Sequence, residues 1–332
     1  MNEVFRIRDR LKIAGRGTIY TLDISQGAEI HAGDILFDLA GNRFKVEGIE
    51  MFREMTDGRS AENTPVGFLF ELLEGVEASG SILVRDLQDI SFLFCNHPLY
   101  QRKVDEDYEE EYQEAGLHHS CALFSYEDLE MGKLSLYGES ISGLTIYRGW
   151  MMKPEMYESF YSLLEAKGII LINTPEEYER YHTLPGWYSD FADETAESVW
   201  ESEGTLENAL KISGTLQGPY IVKDFVKSRK HEWYDACFIP NIEDKARSTK
   251  IIKNFIDRQG ESLVGGVVLR KFQTLKQVGF HENSGMPLSE EYRAFIYAGR
   301  IAAIDDYWMK KNDIKLTDEE VSWLETIARR IR

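Results

Sequence analysis

Three cations stand where a buried strand is expected to stay apolar. Lys223 interrupts the run Pro219-Tyr220-Ile221-Val222, Arg270 closes the run Val267-Val268-Leu269, and Arg293 sits inside Tyr292-Arg293-Ala294-Phe295-Ile296-Tyr297. A long cationic side chain beside a buried strand needs an anion, either a nearby carboxylate or a ligand, unless an edge position lets its head reach water. For any single one of them the ion pair or the edge is the plainer reading. Three on three strands shift the balance toward a shared anion, although spacing alone does not make them converge. Glu291 precedes Arg293 by two residues and shares its strand face. Lys227, Ser228, Arg229, Lys230 and His231 follow Lys223 as a basic patch, which fits either a solvated turn or a loop that closes over phosphate groups. Asp305-Asp306 is either an exposed pair at a strand end or a source of magnesium ligands, with Asp306 the candidate.

What is missing narrows the chemistry. There is no Walker sequence, and Gly15-Arg16-Gly17 lacks the third glycine and the strand-to-helix setting of a dinucleotide fingerprint. A triphosphate bound here would have to lie in a cleft between sheets, held by cations borne on strands. The 38 Lys and Arg against 57 Asp and Glu give a formal charge of −19, which repels a polyanionic backbone and an anionic membrane alike. No window approaches the roughly 18 continuous apolar residues of a membrane helix, and residues 1–10 alternate charge with apolar groups, so a soluble, cytoplasmic protein is expected. Cys95, Cys121 and Cys237 show no C-x-x-C spacing and are expected to be reduced and mostly buried. His118 and His119 are adjacent and point to different faces in a strand or helix, so no histidine metal site is expected.

The elements that must position these residues fall into three stretches. Residues 4–84 are short β-branched runs punctuated by turns at Gly15-Arg16-Gly17, Gly27, Gly33-Asp34, Gly41-Asn42, Asp57-Gly58 and Gly75, the rhythm of a small antiparallel barrel. Alternation in Phe5-Arg6-Ile7-Arg8 and Phe44-Lys45-Val46-Glu47 puts apolar groups inward and charges outward. The pattern changes at Arg85-Asp86. A strand at 90–95, an acidic helical run at 105–114 read as a solvated face without chemistry, a strand at 143–147, a helix over 154–166, a strand at 169–172 and a helix opened by Thr174-Pro175 alternate as an α/β layer does. Strands at 220–223, 267–270, 292–297 and 301–304 follow, with helices over 245–258 and 317–330. The boundaries read from this are 1–85 for the barrel, 86–180 for an α/β domain and 181–332 for the cation-bearing lobes.

Two stretches resemble known families. Ile13-Ala14-Gly15-Arg16-Gly17-Thr18-Ile19, Gly33-Asp34, Gly48-Ile49-Glu50-Met51-Phe52-Arg53, Gly58-Arg59 and Glu62-Asn63 resemble, in order, the barrel domain that follows the nucleotide domain in elongation factor Tu and related translational GTPases. Where that family has Gly and then a basic residue this chain has Leu22-Asp23, so no RNA contact is carried over at that point. From about residue 90 onward the chain resembles the divergent ATP-grasp clade named for two arginines and a lysine, to which the eukaryotic assembly factor for translation initiation factor two belongs. The pieces that carry this are Tyr147-Arg148-Gly149-Trp150-Met151, Ile172-Asn173-Thr174-Pro175, Val222-Lys223-Asp224-Phe225-Val226-Lys227-Ser228 with Lys230 and Trp233, Leu269-Arg270-Lys271-Phe272, and Glu291-Tyr292-Arg293-Ala294-Phe295.

The fold class expected is therefore multidomain, a small antiparallel β-barrel followed by an α+β or α/β ATP-grasp fold whose 86–180 part is the domain preceding the grasp. The resemblance implies ATP and Mg2+ as cofactors, Lys223 on the phosphates, Ser228 and Lys230 in the closing loop, Arg270 and Arg293 as the catalytic arginines steadying the triphosphate, Glu291 beside the nucleotide and Arg148 on the substrate. It implies ligation of a carboxylate to an amine on a peptide or protein linked to translation. An ATP-binding assembly or adaptor protein of the translation apparatus, engaging a translational GTPase without ligating anything, is the rival. Members of the clade continue past the final helix into a strand pair with an Asp and a Glu-x-Asn that hold magnesium, whereas this sequence ends at Arg332. Truncation, metal ligands from elsewhere, and nucleotide binding without a completed reaction all stay open on that point.

Overall fold

The computed structural model describes residues 3–15, 17–24, 28–51, 54–56, 66–74, 82–86, 90–297, 299–308 and 316–331. The sequence motifs at Arg16, Gly27, Phe52-Arg53, Asp57-Gly58-Arg59, Glu62-Asn63 and Gly75 lie outside the described residues. The chain divides into one unit of Met1–Pro175, Ala294–Ala303 and Lys315–Arg332 and a second of Glu176–Arg293 and Ile304–Ile314.

In the first unit the N-terminal strands close on themselves. Going round, Ile35–Asp38, Ile82–Val84, Val4–Ile13, Gly17–Ile24, Val66–Glu74 and Arg43–Met51 pair antiparallel, and Arg43–Met51 returns to Ile35–Asp38 to complete a six-stranded barrel. Alternation decides which side chains fill it: Phe5, Tyr20, Leu36, Phe44, Val46 and Phe68 are buried inside, while Lys45 and Glu47 pair with each other outside. Closure satisfies the backbone groups that a sheet edge would leave open. Gly67 allows the close approach this needs, because a Cβ there would lie 2.7 Å from the Ile19 side chain. Asp23, the departure from the translation-factor pattern, pairs with Arg8.

The same unit carries a mostly parallel sheet in the order Leu136–Gly138, Cys121–Phe124, Ser91–His97, Gly143–Arg148 and Ile169–Leu171, with Tyr100–Val104 folded back on Ser91–His97. Its central strands are continuous apolar runs, as strands covered on both faces must be. Helix Pro154–Glu165 starts on a proline and turns Tyr157, Phe160 and Leu164 inward. The acidic run forms helix Glu109–Ala115, and Tyr112 packs edge-on against Phe94 at 5.4 Å. The expected solvated face is not free of structural duty, since Glu111 forms a bidentate ion pair with Arg148.

The second unit is built on an antiparallel sheet in the order Ser198–Glu201, Val267–Lys271, Tyr220–Asp224 and Phe238–Ile239. Tyr220, Val222, Val267 and Leu269 turn to one face and bury against Ile251, Ile252 and Phe255 of helix Lys245–Gln259 and Ala209 of helix Leu206–Ser213. That long helix forms where the sequence signals place it: the Asp244 side chain accepts from Arg247 N at 3.1 Å to cap its start, and Gly260, at φ +49°, ends it. A short hairpin, Gln277–Phe280 with Pro287–Ser289, completes the described strands of this unit together with the ends of the pair Tyr292–Tyr297 and Arg300–Asp306.

Candidate functional site

The face of the second unit's sheet turned away from its helices carries the cations. Strand Tyr220–Asp224 alternates, so Ile221 and Lys223 turn away from the helices that cover Tyr220 and Val222. Across the ladder Ile221 lies opposite Arg270 and Lys223 opposite Val268, which makes Lys223 and Arg270 diagonal neighbours on one face. Ser198 lies opposite Arg270 on the next strand.

Neither cation is neutralised. Among the described residues no carboxylate comes within 4.0 Å of the charged nitrogens of Lys223, Arg270 or Arg293. Lys223 Nζ donates to the Asp224 carbonyl at 2.6 Å. Burial pushes the Lys223 ammonium down to about 8, with Asp224 opposing the shift and Arg270 adding to it. Arg270 donates to the hydroxyls of Thr195 at 2.7 Å and Ser198 at 3.3 Å and lies 6.0 Å from the Trp187 ring centre. Burial holds its guanidinium below the usual arginine range. Two adjacent, partly desolvated cations with only neutral partners form a site complementary to an anion.

The loop after Lys223 is held by a buried carboxylate. Asp224, with no exposure, accepts from Val226 N at 2.7 Å, Lys227 N, Gln259 Nε2 at 2.9 Å and Val264 N at 3.3 Å. The basic patch is sorted by its partners. Arg229 spends its charge on Glu232, which also accepts from Arg258, so this arginine belongs to the scaffold. Ser228 bridges back to Lys223 and lies beside Cys237, whose thiol burial pushes up to about 11. Lys230 reaches the Tyr307 ring at 5.5 Å, and Arg293 lies over the same ring at 4.7 Å.

A cavity of about 440 Å³ opens beside these groups. Lys230, Arg270 and Lys271 against Glu194 and Glu291 give it charge, and Ile221, Trp233, Phe272, Met286 and Trp308 give it an apolar wall. That is the size of a small-ligand site, with an apolar wall facing convergent polar groups. Burial pushes the His182 imidazole down as well, with Lys227 and Lys223 adding to the shift against Asp224.

Of the residues singled out from sequence, Lys223 and Arg270 share a face, Lys230, Arg270 and Glu291 share the cavity, and Arg293 meets Lys230 at Tyr307. Arg148 belongs to the first unit, where Glu111 engages it. Asp306 Oδ1 accepts from Trp308 N at 2.8 Å, and among the described residues no group of three or more His, Cys, Asp or Glu could hold a metal ion. Thr195, Ser198, Lys271, Tyr307 and Trp308 were not singled out. Lys271 was within reach, being the next residue after Arg270, but the others are defined only by what they face. Cys95, Cys121 and Cys237 are free and buried, as expected from their spacing.

Residues 210–332 match an ATP-grasp domain family, the third family of the clade named for two arginines and a lysine. The fold class is thus a small closed antiparallel β-barrel followed by an ATP-grasp fold. No curated protein matches the chain. Among solved structures the chain is similar to a RimK domain protein ATP-grasp from Sphaerobacter thermophilus, at 15% identity over 73% of this chain and 80% of that one, with a TM-score of 0.46. It is similar to D-alanyl-alanine synthetase A from Vibrio cholerae, at 14% identity over 74% and 81%, with a TM-score of 0.39. It is also similar to translation elongation factor SelB from Methanococcus maripaludis, at 25% identity and a TM-score of 0.22, over 26% of this chain and only 18% of that factor's length. Among the described residues no helix is long and apolar enough to cross a membrane.

Proposed function

We propose that this chain binds ATP on the cation-bearing face of its second unit and spends it as an ATP-grasp ligase, joining a carboxylate to an amine. The observation that carries the reading is the pair Lys223 and Arg270, adjacent on one sheet face, partly buried and without a carboxylate partner among the described residues, inside a segment that matches an ATP-grasp family. A desolvated cation costs stability unless an anion meets it, and a triphosphate is an anion of the right extent.

In this reading Lys223 and Arg270 grip phosphate oxygens from the sheet while Arg293 and Lys230 close on them from the side of Tyr307. Ser228 belongs to the loop that closes with Lys230. The apolar wall around Trp233, Phe272 and Met286 takes the base. For Mg2+ the described residues offer single carboxylates, Glu194 and Glu291 on the cavity wall and Asp306, rather than a cage, and that fits an ion bound chiefly through phosphates with one or two protein carboxylates. The substrate carboxylate attacks the γ-phosphorus and ADP leaves, giving an acyl phosphate. The amine then attacks the acyl carbon, phosphate leaves, and an amide remains. The cations offset charge on the transferring phosphoryl group, and positioning supplies the rest.

Hydroxylamine tests the step directly. With ATP, Mg2+ and a pool of carboxylates it should trap the acyl phosphate as a hydroxamate with stoichiometric ADP, and Lys223→Ala should abolish both nucleotide binding and trapping. Normal ATP binding by Lys223→Ala would remove the site assignment. ATP binding without any hydroxamate would instead favour a nucleotide-binding adaptor.

A further inference from the structure

The first unit holds a second cavity, of about 600 Å³, that the nucleotide reading does not use. Its apolar lining comes from Ile90 and Phe92 at the start of one strand, Ile146 on the neighbouring parallel strand, and Phe295 and Ala302. Ile146 and Phe92 are direct register partners, so they form a continuous floor. At the same cavity stand Arg148 and Glu111, bound to each other in a fork and each more than a third exposed, at 39% and 38%.

The fork uses Nε and Nη2 of Arg148 and leaves Nη1 without a partner among the described residues. His119 also lines the cavity, its ring 5.2 Å from that of Phe92. Its Nδ1 lies 3.0 Å from the Ile90 carbonyl, which can only accept, so Nδ1 donates there and Nε2 is the ring nitrogen left for a ligand. An apolar hollow, with Tyr297 also on its wall, beside one cation with a spare donor, one carboxylate and one imidazole matches a small molecule that carries both charges next to a hydrophobic body.

We infer that this cavity binds a free amino acid with a large apolar side chain. The side chain occupies the space over Phe92 and Ile146, the α-carboxylate accepts from Arg148, and the α-ammonium donates to Glu111 and His119. A ligand with a carboxylate alone would meet Glu111, and one with an ammonium alone would meet Arg148, so the zwitterion is preferred over either.

Calorimetric titration of L-phenylalanine into the full chain, without nucleotide, tests this. Saturable binding is expected, with 3-phenylpropionate and phenethylamine each at least about 10-fold weaker, the loss of one charge-assisted hydrogen bond. Ala302→Phe, at an exposed position, should fill the hollow and abolish binding while leaving the unfolding transition in place. Arg148→Gln with Glu111→Gln removes both charges without stranding either, and should bring the three probes to equal, weak affinity. No saturable heat with L-phenylalanine, equal affinity for the three probes in the natural chain, or unchanged binding in Ala302→Phe would each overturn the inference. The nucleotide reading would stand through any of these, because nothing in the titration uses ATP.

Discussion

Lys223 makes the nucleotide reading testable by pH alone. Burial sets its ammonium at about 8 in the free protein, against 10.5 for an unburied lysine. Held against phosphates, the proton would be retained to at least the ordinary value of roughly 10.4. Above pH 8 each binding event must therefore first protonate Lys223. At pH 9 about nine-tenths of the free protein would carry the neutral amine, so ATP affinity should fall roughly 10-fold between pH 7 and pH 9. Two other titrations are centred below that window: the second ionisation of phosphate near pH 6, and that of His182, which burial pushes down. Calorimetry in two buffers of different ionisation heat should show proton uptake approaching one per ATP at pH 9 and little at pH 7. Lys223→Arg, whose charge does not titrate here, should bind with a flat profile. A flat profile in the natural chain would refute the argument, because it would mean that Lys223 never meets the phosphates or is not desolvated. The same shift has a sign for stability: the unfolded chain holds this proton up to pH 10.5 and the folded one only to about 8, so folding gains stability as pH rises from 8 to 10.5. The whole shift is worth roughly 3 kcal/mol, which is what bound phosphate would return at neutral pH.

Three further outcomes follow from the same geometry. Arg270→Met should cost about 10- to 100-fold in ATP affinity, yet leave the urea midpoint unchanged or raised, because its guanidinium is partly desolvated with only hydroxyl partners; a clear drop in midpoint would make it structural. Asp224→Ala strands the amides of Val226, Lys227 and Val264 together with Gln259 Nε2, and a loss of about 3–5 kcal/mol by urea unfolding is expected. Gly266→Ala would put a Cβ 1.6 Å from the Glu201 carbonyl oxygen where the two strands pair, so the ladder must open at a cost of at least about 3 kcal/mol, readable as a lowered thermal midpoint.

Local pattern carried most of the architecture. Alternation in Phe5-Arg6-Ile7-Arg8 and the glycine-punctuated runs imply a one-sided sheet, and the closed barrel bears this out. Helix 245–258 was expected from the sequence, and the structure extends it by one residue, to Gln259. Lys223 and Arg270 stood out because a cation at the end of an apolar run is a conflict that each residue's own neighbours reveal.

Which cations act together was not legible. Lys223 and Arg270 become neighbours only through the pairing of Val222 with Leu269, and a slip of one residue would send one of them to the helix-covered face. Arg229 looked equivalent to Lys230 along the chain, yet Glu232 and Arg258 absorb it while Lys230 turns to Tyr307. Arg148 met Glu111 across 37 residues of sequence, and Ser228 met Cys237. Periodicity is a property of consecutive residues, so the sequence by itself determined the elements and their inward faces. Charge pairing depends on distance through space, which register and chain closure set, and so the tertiary structure alone decided which charges are spent and which are left for a ligand.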